Sequence, residues 1–358
     1  MKKIYLFLAI CLLVAAPVFS QSGERTGVQK IALMRNKLVN FLEKRELSGL
    51  DTNYIGAWPR KWSVFANTYF SSMDFDMRSN RVDIQDEEIH DGRSVINMRS
   101  RTNRQVSLGL YYMGYGLSYS LSLGKGFKKD FSLTMYSSPA GGEFRYHTTR
   151  NIKGDFTTPS GENLVLMGNE ASMENVILNA YYVFNPSRFS YSAAMSNFMI
   201  QKKSAGSVIA GLSLNRMRLY SNEPWLSYTL GRVNRLKIHQ FALGAGYGYN
   251  WVPVPRLILH FSEIPMLLVT TRSVTNMKAD EDSDGWDSIQ KQGYKNLFGG
   301  KTHVSFSHVF RTSATYSISD RFSAGTTFFY NYFRVGHHSS YFVSTEDWSL
   351  RFFVAYRF

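Results

Sequence analysis

A few short stretches carry side chains of a type and spacing that could do chemistry. Asp280, Asp282 and Asp284 alternate ahead of Gly285, an order in which carboxylate oxygens converge on calcium as the chain turns. The bidentate glutamate of such a loop is missing at its twelfth position, where Lys291 stands, and Asp287 compensates only in part. A solvated acidic loop is the competing reading. Gly299-Gly300-Lys301-Thr302 matches the end of a phosphate-binding loop, but Lys295 holds the place of its first glycine and no strand-to-helix context surrounds it. His260, Ser262 and Glu263 bring an imidazole, a hydroxyl and a carboxylate close together, yet His260 and Ser262 share a face only if that stretch is extended. His337 and His338 are adjacent, so in a strand they point to opposite faces and chelate poorly. No catalytic centre follows from these residues. The reading is non-enzymatic, with no cofactor beyond the calcium candidate.

Composition narrows the class. Apolar residues make up 44% and aromatic residues 15% of 358, too much for a disordered chain. Lys2 and Lys3 precede an apolar run, Ile4 to Ala16, that falls short of the about 20 residues a membrane helix needs and suits a signal peptide, with cleavage expected after Ser20. Cys11, the single cysteine, lies inside that segment, so the exported chain is expected to have neither disulfide nor lipid anchor. No later stretch is apolar enough to form a transmembrane helix. Residues 21–60 read as a periplasmic segment. Within it Ile31, Met34, Leu38, Phe41 and Leu42 recur at helical steps, which predicts an amphipathic helix over 28–47.

From Trp62 onward the period is two, and no further helix is predicted. Leu117, Tyr119, Leu121 and Leu123 alternate with Gly116, Ser118, Ser120 and Ser122. Met113 to Tyr115 reads either as part of one long strand or as a tight turn between two shorter ones. Phe241, Leu243, Ala245, Tyr247, Tyr249 and Trp251 alternate with Ala242, Gly244, Gly246, Gly248 and Asn250. One face is greasy and aromatic, and the other is small and polar. A soluble sandwich usually places charges on its exposed face, whereas a crowded polar barrel interior takes glycine and serine. Longer polar segments near 74–102, 150–171 and 273–301 read as outer loops, and the short turns between strands as periplasmic ones. The last strand alternates Leu350, Phe352, Val354, Tyr356 and Phe358, a pattern that resembles the signal read by the barrel assembly machinery. Counting back, 346–358 descends, 321–334 rises and 302–316 descends. The side on which 217–235 lies stays open.

The expected fold is all-β: one transmembrane antiparallel β-barrel over 61–358, of about 12–14 strands, closed because an open sheet edge is not tolerated in lipid. Asp51-Thr52-Asn53-Tyr54-Ile55 leading to Lys61-Trp62, the run Tyr181 to Tyr191, Gln201 to Ser207, and Gly244 to Asn250 resemble an uncharacterised family of outer-membrane proteins, domain of unknown function 4421, typical of Bacteroides-like bacteria. The resemblance covers nearly all of the exported chain. It implies an outer-membrane location and barrel architecture, and no catalytic or binding residues. Phe184-Asn185-Pro186-Ser187-Arg188-Phe189 reads as a periplasmic turn, and Lys202-Lys203 as part of a turn at the opposite rim that could meet lipid phosphates.

The chain carries 41 Lys and Arg against 27 Asp and Glu. Export and the dispersal of these charges argue against a nucleic-acid partner. Arg351 and Arg357 lie on the lumen face of the last strand, which calls for a wetted interior or ion pairing. Three function classes stay open: a channel for small polar or anionic solutes, a closed barrel whose loops bind a partner or lipopolysaccharide, and a membrane-embedded lipid-modifying enzyme.

One expectation concerns biogenesis. Deleting Phe358, or changing Tyr356 and Phe358 to Ser, should leave protein in the periplasm. Fractionation with heat-modifiable gel mobility reads this, and unchanged insertion would remove the targeting role.

Overall fold

Strands form wherever the two-residue period places an apolar face against one environment and a small polar face against another. The computed structural model describes chiefly residues 47–85, 88–100, 103–123, 128–150, 152–157, 163–166, 171–221, 233–277, 305–337 and 341–358. The expected signal segment, most of the expected helix over 28–47, and Asp280, Asp282, Asp284, Lys295, Gly299 to Thr302 and His338 lie outside the described residues. Among the described residues no helix is long and apolar enough to cross a membrane.

The elements run β1 (Ile55–Ala57), β2 (Trp62–Gln85), β3 (Glu88–Ser100), β4 (Asn103–Tyr112), β5 (Tyr115–Ser122), β6 (Lys128–Met135), β7 (Ala140–Arg150), β8 (Ile152–Thr157), β9 (Asn163–Leu166) and β10 (Ala171–Val183). A short helix, α1 (Tyr191–Met195), follows, then β11 (Met199–Gln201), β12 (Ala205–Ser221), β13 (Val233–Trp251), β14 (Leu257–Met277), β15 (Phe306–Ser317), β16 (Phe322–His337) and β17 (Tyr341–Arg357). Twelve strands make the wall, in the order β17-β16-β15-β14-β13-β12-β10-β7-β6-β5-β4-β2. Antiparallel pairing of β17 with β2, from Tyr341↔Ser79 to Arg357↔Ser63, closes the barrel.

The connections 112–115, 135–140, 183–205, 251–257 and 317–322 share one end with the C-terminal strand end. That end is periplasmic by the rule of short inner turns. The tightest turn has Met113 and Gly114 both at positive φ (50° and 85°), as a two-residue hairpin of primed type requires. The run 111–123 is therefore two strands. The strand ends Ser221 and Val233 lie at the outer end of the wall.

Two expected outer loops are strand instead. β2 continues to Gln85 and pairs with β3, and β8 and β9 extend that sheet beyond the short β5–β6 hairpin. Among the described side chains of β2, Met73, Phe75 and Met77 are buried, while Asp74, Asp76 and Arg78 point outward and make the segment read as polar. The break between β3 and β4 is held by Ser100, whose hydroxyl accepts from the Met73 amide at 2.8 Å and whose carbonyl accepts from Ser72 Oγ at 2.9 Å.

On the outward face the stripes foreseen on β5, β13 and β17 meet lipid. Leu243, Tyr247, Trp251, Phe352 and Val354 are all exposed. β13 and β14 approach so closely that a Cβ on Gly246 would run into the Glu263 carbonyl. Gly246→Val should lower the folded, heat-resistant fraction on gels, at a cost of about 1–3 kcal/mol from overpacking.

Candidate functional site

The interior is where the chain concentrates its ionisable groups. On β7, Glu143, Arg145 and His147 alternate with Phe144 and Tyr146, so three ionisable side chains enter the lumen from one strand. Arg145 donates from Nη2 to Asp130 Oδ2 on the neighbouring β6 at 2.6 Å, and from Nη1 to Asp347 of β17 at 3.4 Å. β17 lies five strands away around the wall, so this second bond crosses the lumen. A second crossing joins Arg311 of β15 to Glu143, again five strands apart. Asn179 of β10 donates to Glu143 at 2.9 Å, and Arg311 donates to Asn331 of β16 at 2.9 Å. The Tyr136 hydroxyl reaches the other Glu143 oxygen at 3.1 Å. The guanidinium groups of Arg311 and Arg351 both lie over the Phe329 ring, 5.0 and 4.7 Å from its centre. Two cavities in this layer measure about 20 Å³ each, room for roughly one water apiece.

On its extracellular side the lumen turns apolar. Inward side chains of β2, β3, β8, β10, β12, β13 and β17 form one buried cluster that includes Met73, Phe75, Met98, Met173, Met217 and Ile238. The His147 ring contacts Met73 Sδ at 3.4 Å and ties this layer to the polar one.

At the periplasmic end residues 184–204 fold into the barrel mouth. Ser190 caps α1, its hydroxyl accepting from the Ala193 amide at 3.0 Å, and all five helix residues are buried. Five residues are too few to show a helical period, which is why the sequence predicts none here. Lys202 and Lys203 consequently sit at the same rim as the 184–189 turn. Lys202 donates to the Thr52 carbonyl at 2.8 Å, and Lys203 lies over the Tyr54 ring. Pairing of β1 with β11 brings residues 55–57 against this segment.

His260 and Ser262 do share the inward face. Asn250 spends its amide hydrogens on the Ser190 carbonyl (2.9 Å) and on Gln201 Oε1 (3.0 Å). Its Oδ1 therefore accepts from His260 Nδ1 at 2.7 Å, which leaves Nε2 to accept from Ser262 Oγ at 3.0 Å. The Tyr191 hydroxyl meets the same Ser262 oxygen at 3.0 Å. An imidazole between a hydroxyl and an amide has the layout of a nucleophile and its base. Ser262 is only 1% exposed, however, and its oxygen is engaged on both sides. In this arrangement the relay binds the inserted segment to β13 and β14. Ser313, which donates to the Ala194 carbonyl at 2.8 Å, adds a bond from β15.

Of the other residues singled out from sequence, Phe352, Val354 and Phe358 are exposed on the outward face, where Tyr356 also points. Arg351 and Arg357 point inward. Arg357 stacks over Trp58 at 4.2 Å and donates to the Asn197 carbonyl at 3.3 Å, a further tie to the inserted segment. Sequence reasoning passed over Asp130, Glu143, Arg145, Arg311 and Asp347. The alternation of charges in β7 was the available signal.

A closed antiparallel barrel with an apolar, aromatic outer band and a polar interior is a bacterial outer-membrane β-barrel protein. More particularly, the chain belongs to the family described as domain of unknown function DUF4421, whose family model matches residues 49–358. Among curated proteins none matches it. Similar solved structures include the outer-membrane protease OmpT from Escherichia coli, at 6% identity and TM-score 0.39, covering 85% of this chain and 98% of that one. The translocator domain of the autotransporter NalP from Neisseria meningitidis has 11% identity and TM-score 0.35, over 93% and 97%. The outer-membrane protein OprG from Pseudomonas aeruginosa has 10% and 0.30, over 86% and 99%. Values this low carry nothing over to this chain.

Removing one member of a buried, hydrogen-bonded ion pair leaves an uncompensated charge. Arg145→Ala should cost about 3–5 kcal/mol, measured by denaturant unfolding in detergent. Arg145→Met combined with Asp130→Asn and Asp347→Asn should recover most of that loss.

Proposed function

We propose that this protein is a closed, non-conducting barrel that holds anionic lipid, the phosphates of lipopolysaccharide, at its outer rim. The observation that carries the reading is a cluster of basic side chains at the outer end of β12 and β13. Leu214 and Phe241 face each other on the outward side of β12 and β13 as an apolar pair. Directly above them Arg216 stands opposite His239, and Arg218 opposite Lys237. Arg218 and Lys237 repel as like charges at directly opposed positions, and among the described residues Glu174, 3.2 Å from Arg218, offsets part of that charge. Lipid phosphates at the edge of the hydrocarbon supply the missing negative charge.

The same bookkeeping inside the lumen disfavours an anion channel. Arg145, Arg311 and Arg351 are matched by Asp130, Glu143 and Asp347, three against three, so this layer offers no surplus positive charge. Conduction would need the crossings to part and the 184–204 segment to leave. The lipid-modifying reading would need Ser262 uncovered. In this account insertion relies on the barrel assembly machinery reading the last strand, with outer-membrane lipids as the lasting partners.

Arg216→Ala combined with Lys237→Ala should weaken lipopolysaccharide binding about thirtyfold, at about 1 kcal/mol for each charge removed. Titration of the folded barrel with purified lipopolysaccharide measures this. Equal affinity in the two proteins would end the proposal.

A further inference from the structure

The lipid-facing wall holds a second feature, separate from the outer rim. A groove of about 470 Å³ runs across its periplasmic half, within the roughly 300–1,000 Å³ of ligand clefts. Its floor is made of small outward residues, Thr312, Ala314 and Thr326, and larger rings, Trp251, Phe261 and Phe328, line it too. The row Tyr249↔Phe261↔Thr312↔Phe328↔Leu350 crosses five strands. Four interstrand spacings of about 4.8 Å make it about 19 Å long. Tyr249 lies close to the periplasmic turn after Trp251, whereas Leu350 lies well up β17 from its periplasmic end. With strands tilted by about 35–45°, the row climbs about 12 Å from the interface. One leaflet of hydrocarbon is about 15 Å deep, half of the bilayer core.

The charge at the lower end is complementary to a headgroup. Arg256, in the turn between β13 and β14, presents a half-exposed guanidinium 3.7 Å from Asp320, and Arg321 beside it is also exposed. Arg256 and Arg321 thus present two guanidinium groups at this turn.

We propose that the groove is a binding site for one glycerophospholipid of the periplasmic leaflet, with an acyl chain lying along Thr312, Ala314 and Thr326 and the phosphate at Arg256. The groove's length and climb match one chain of one leaflet. Its small floor residues let the chain sink between the rings, where it gains contacts on several sides that a flat wall does not give.

The test uses the full-length folded barrel in vesicles of palmitoyl-oleoyl phosphatidylglycerol, released into mild detergent and weighed by native mass spectrometry. The natural chain should retain one phospholipid. Ala314→Phe with Thr326→Phe fills the floor with apolar side chains, and it should cut retention about tenfold, the equivalent of about 1.4 kcal/mol. Arg256→Glu should also lower retention, whereas Ala66→Phe, elsewhere on the outward face, should not. Heat-modifiable mobility confirms that each variant is folded. Equal retention in the filled variant and the natural chain would overturn the site, as would unchanged retention in Arg256→Glu or no retained lipid in the natural chain.

Discussion

Hydrocarbon offers no hydrogen bonds, so every backbone amide and carbonyl that crosses it must find a partner in the wall. The closing pair, β17 with β2, runs from Arg357↔Ser63 to Tyr341↔Ser79 and leaves no lipid-exposed edge. Much else follows from closing at twelve strands. Eight-stranded barrels are filled by their own side chains, and those of sixteen or more hold a channel. Twelve leaves an interior too wide for ordinary side chains to fill and too narrow to ignore. The long arginines that reach across it, Arg145 to Asp347 and Arg311 to Glu143, are one answer. The chain segment folded into the periplasmic mouth is another, and the methionine-rich layer on the extracellular side is a third.

The three fillings are chemically distinct for a physical reason. Charged groups enter a low-dielectric interior only in compensated sets, and the middle layer accordingly pairs its arginines with carboxylates or rests them on aromatic rings. The inserted segment carries backbone groups that need partners. Gln201 donates to the carbonyls of Arg188 and Lys203 (2.7 and 2.9 Å), while Asn250 and Ser313 take up those of Ser190 and Ala194. His260 and Ser262 belong to this accounting. A hydroxyl beside an imidazole is commonly read as catalytic, yet both are buried here and the bonds they make position the segment.

Much of the fold was legible in the sequence because membrane strands advertise their two faces. The stripes on β5, β13 and β17 point to lipid as their alternation requires. The closed barrel has twelve wall strands, within the expected range. Segments that imitate something else were harder to read. β2 from Met73 to Arg78 looks like a polar loop because its outward face, above the lipid, carries Asp74, Asp76 and Arg78, although Met73, Phe75 and Met77 on its inward face are apolar. Residues 184–204 look like a turn, a strand and a second turn, because nothing local distinguishes a segment that crosses the wall from one that folds back beneath it. The charged layer was visible in Glu143-Phe144-Arg145-Tyr146-His147, but its partners on β6, β15 and β17 are set by topology, which spacing along the chain does not reveal.

The central claim is that the lumen is sealed. The most direct measurement is the conductance of the folded, full-length protein in a planar bilayer under a salt gradient, with folding verified by its gel shift. A sealed lumen gives no steps above the bare membrane. Discrete steps with a reproducible reversal potential would contradict it and would return the barrel to the channels.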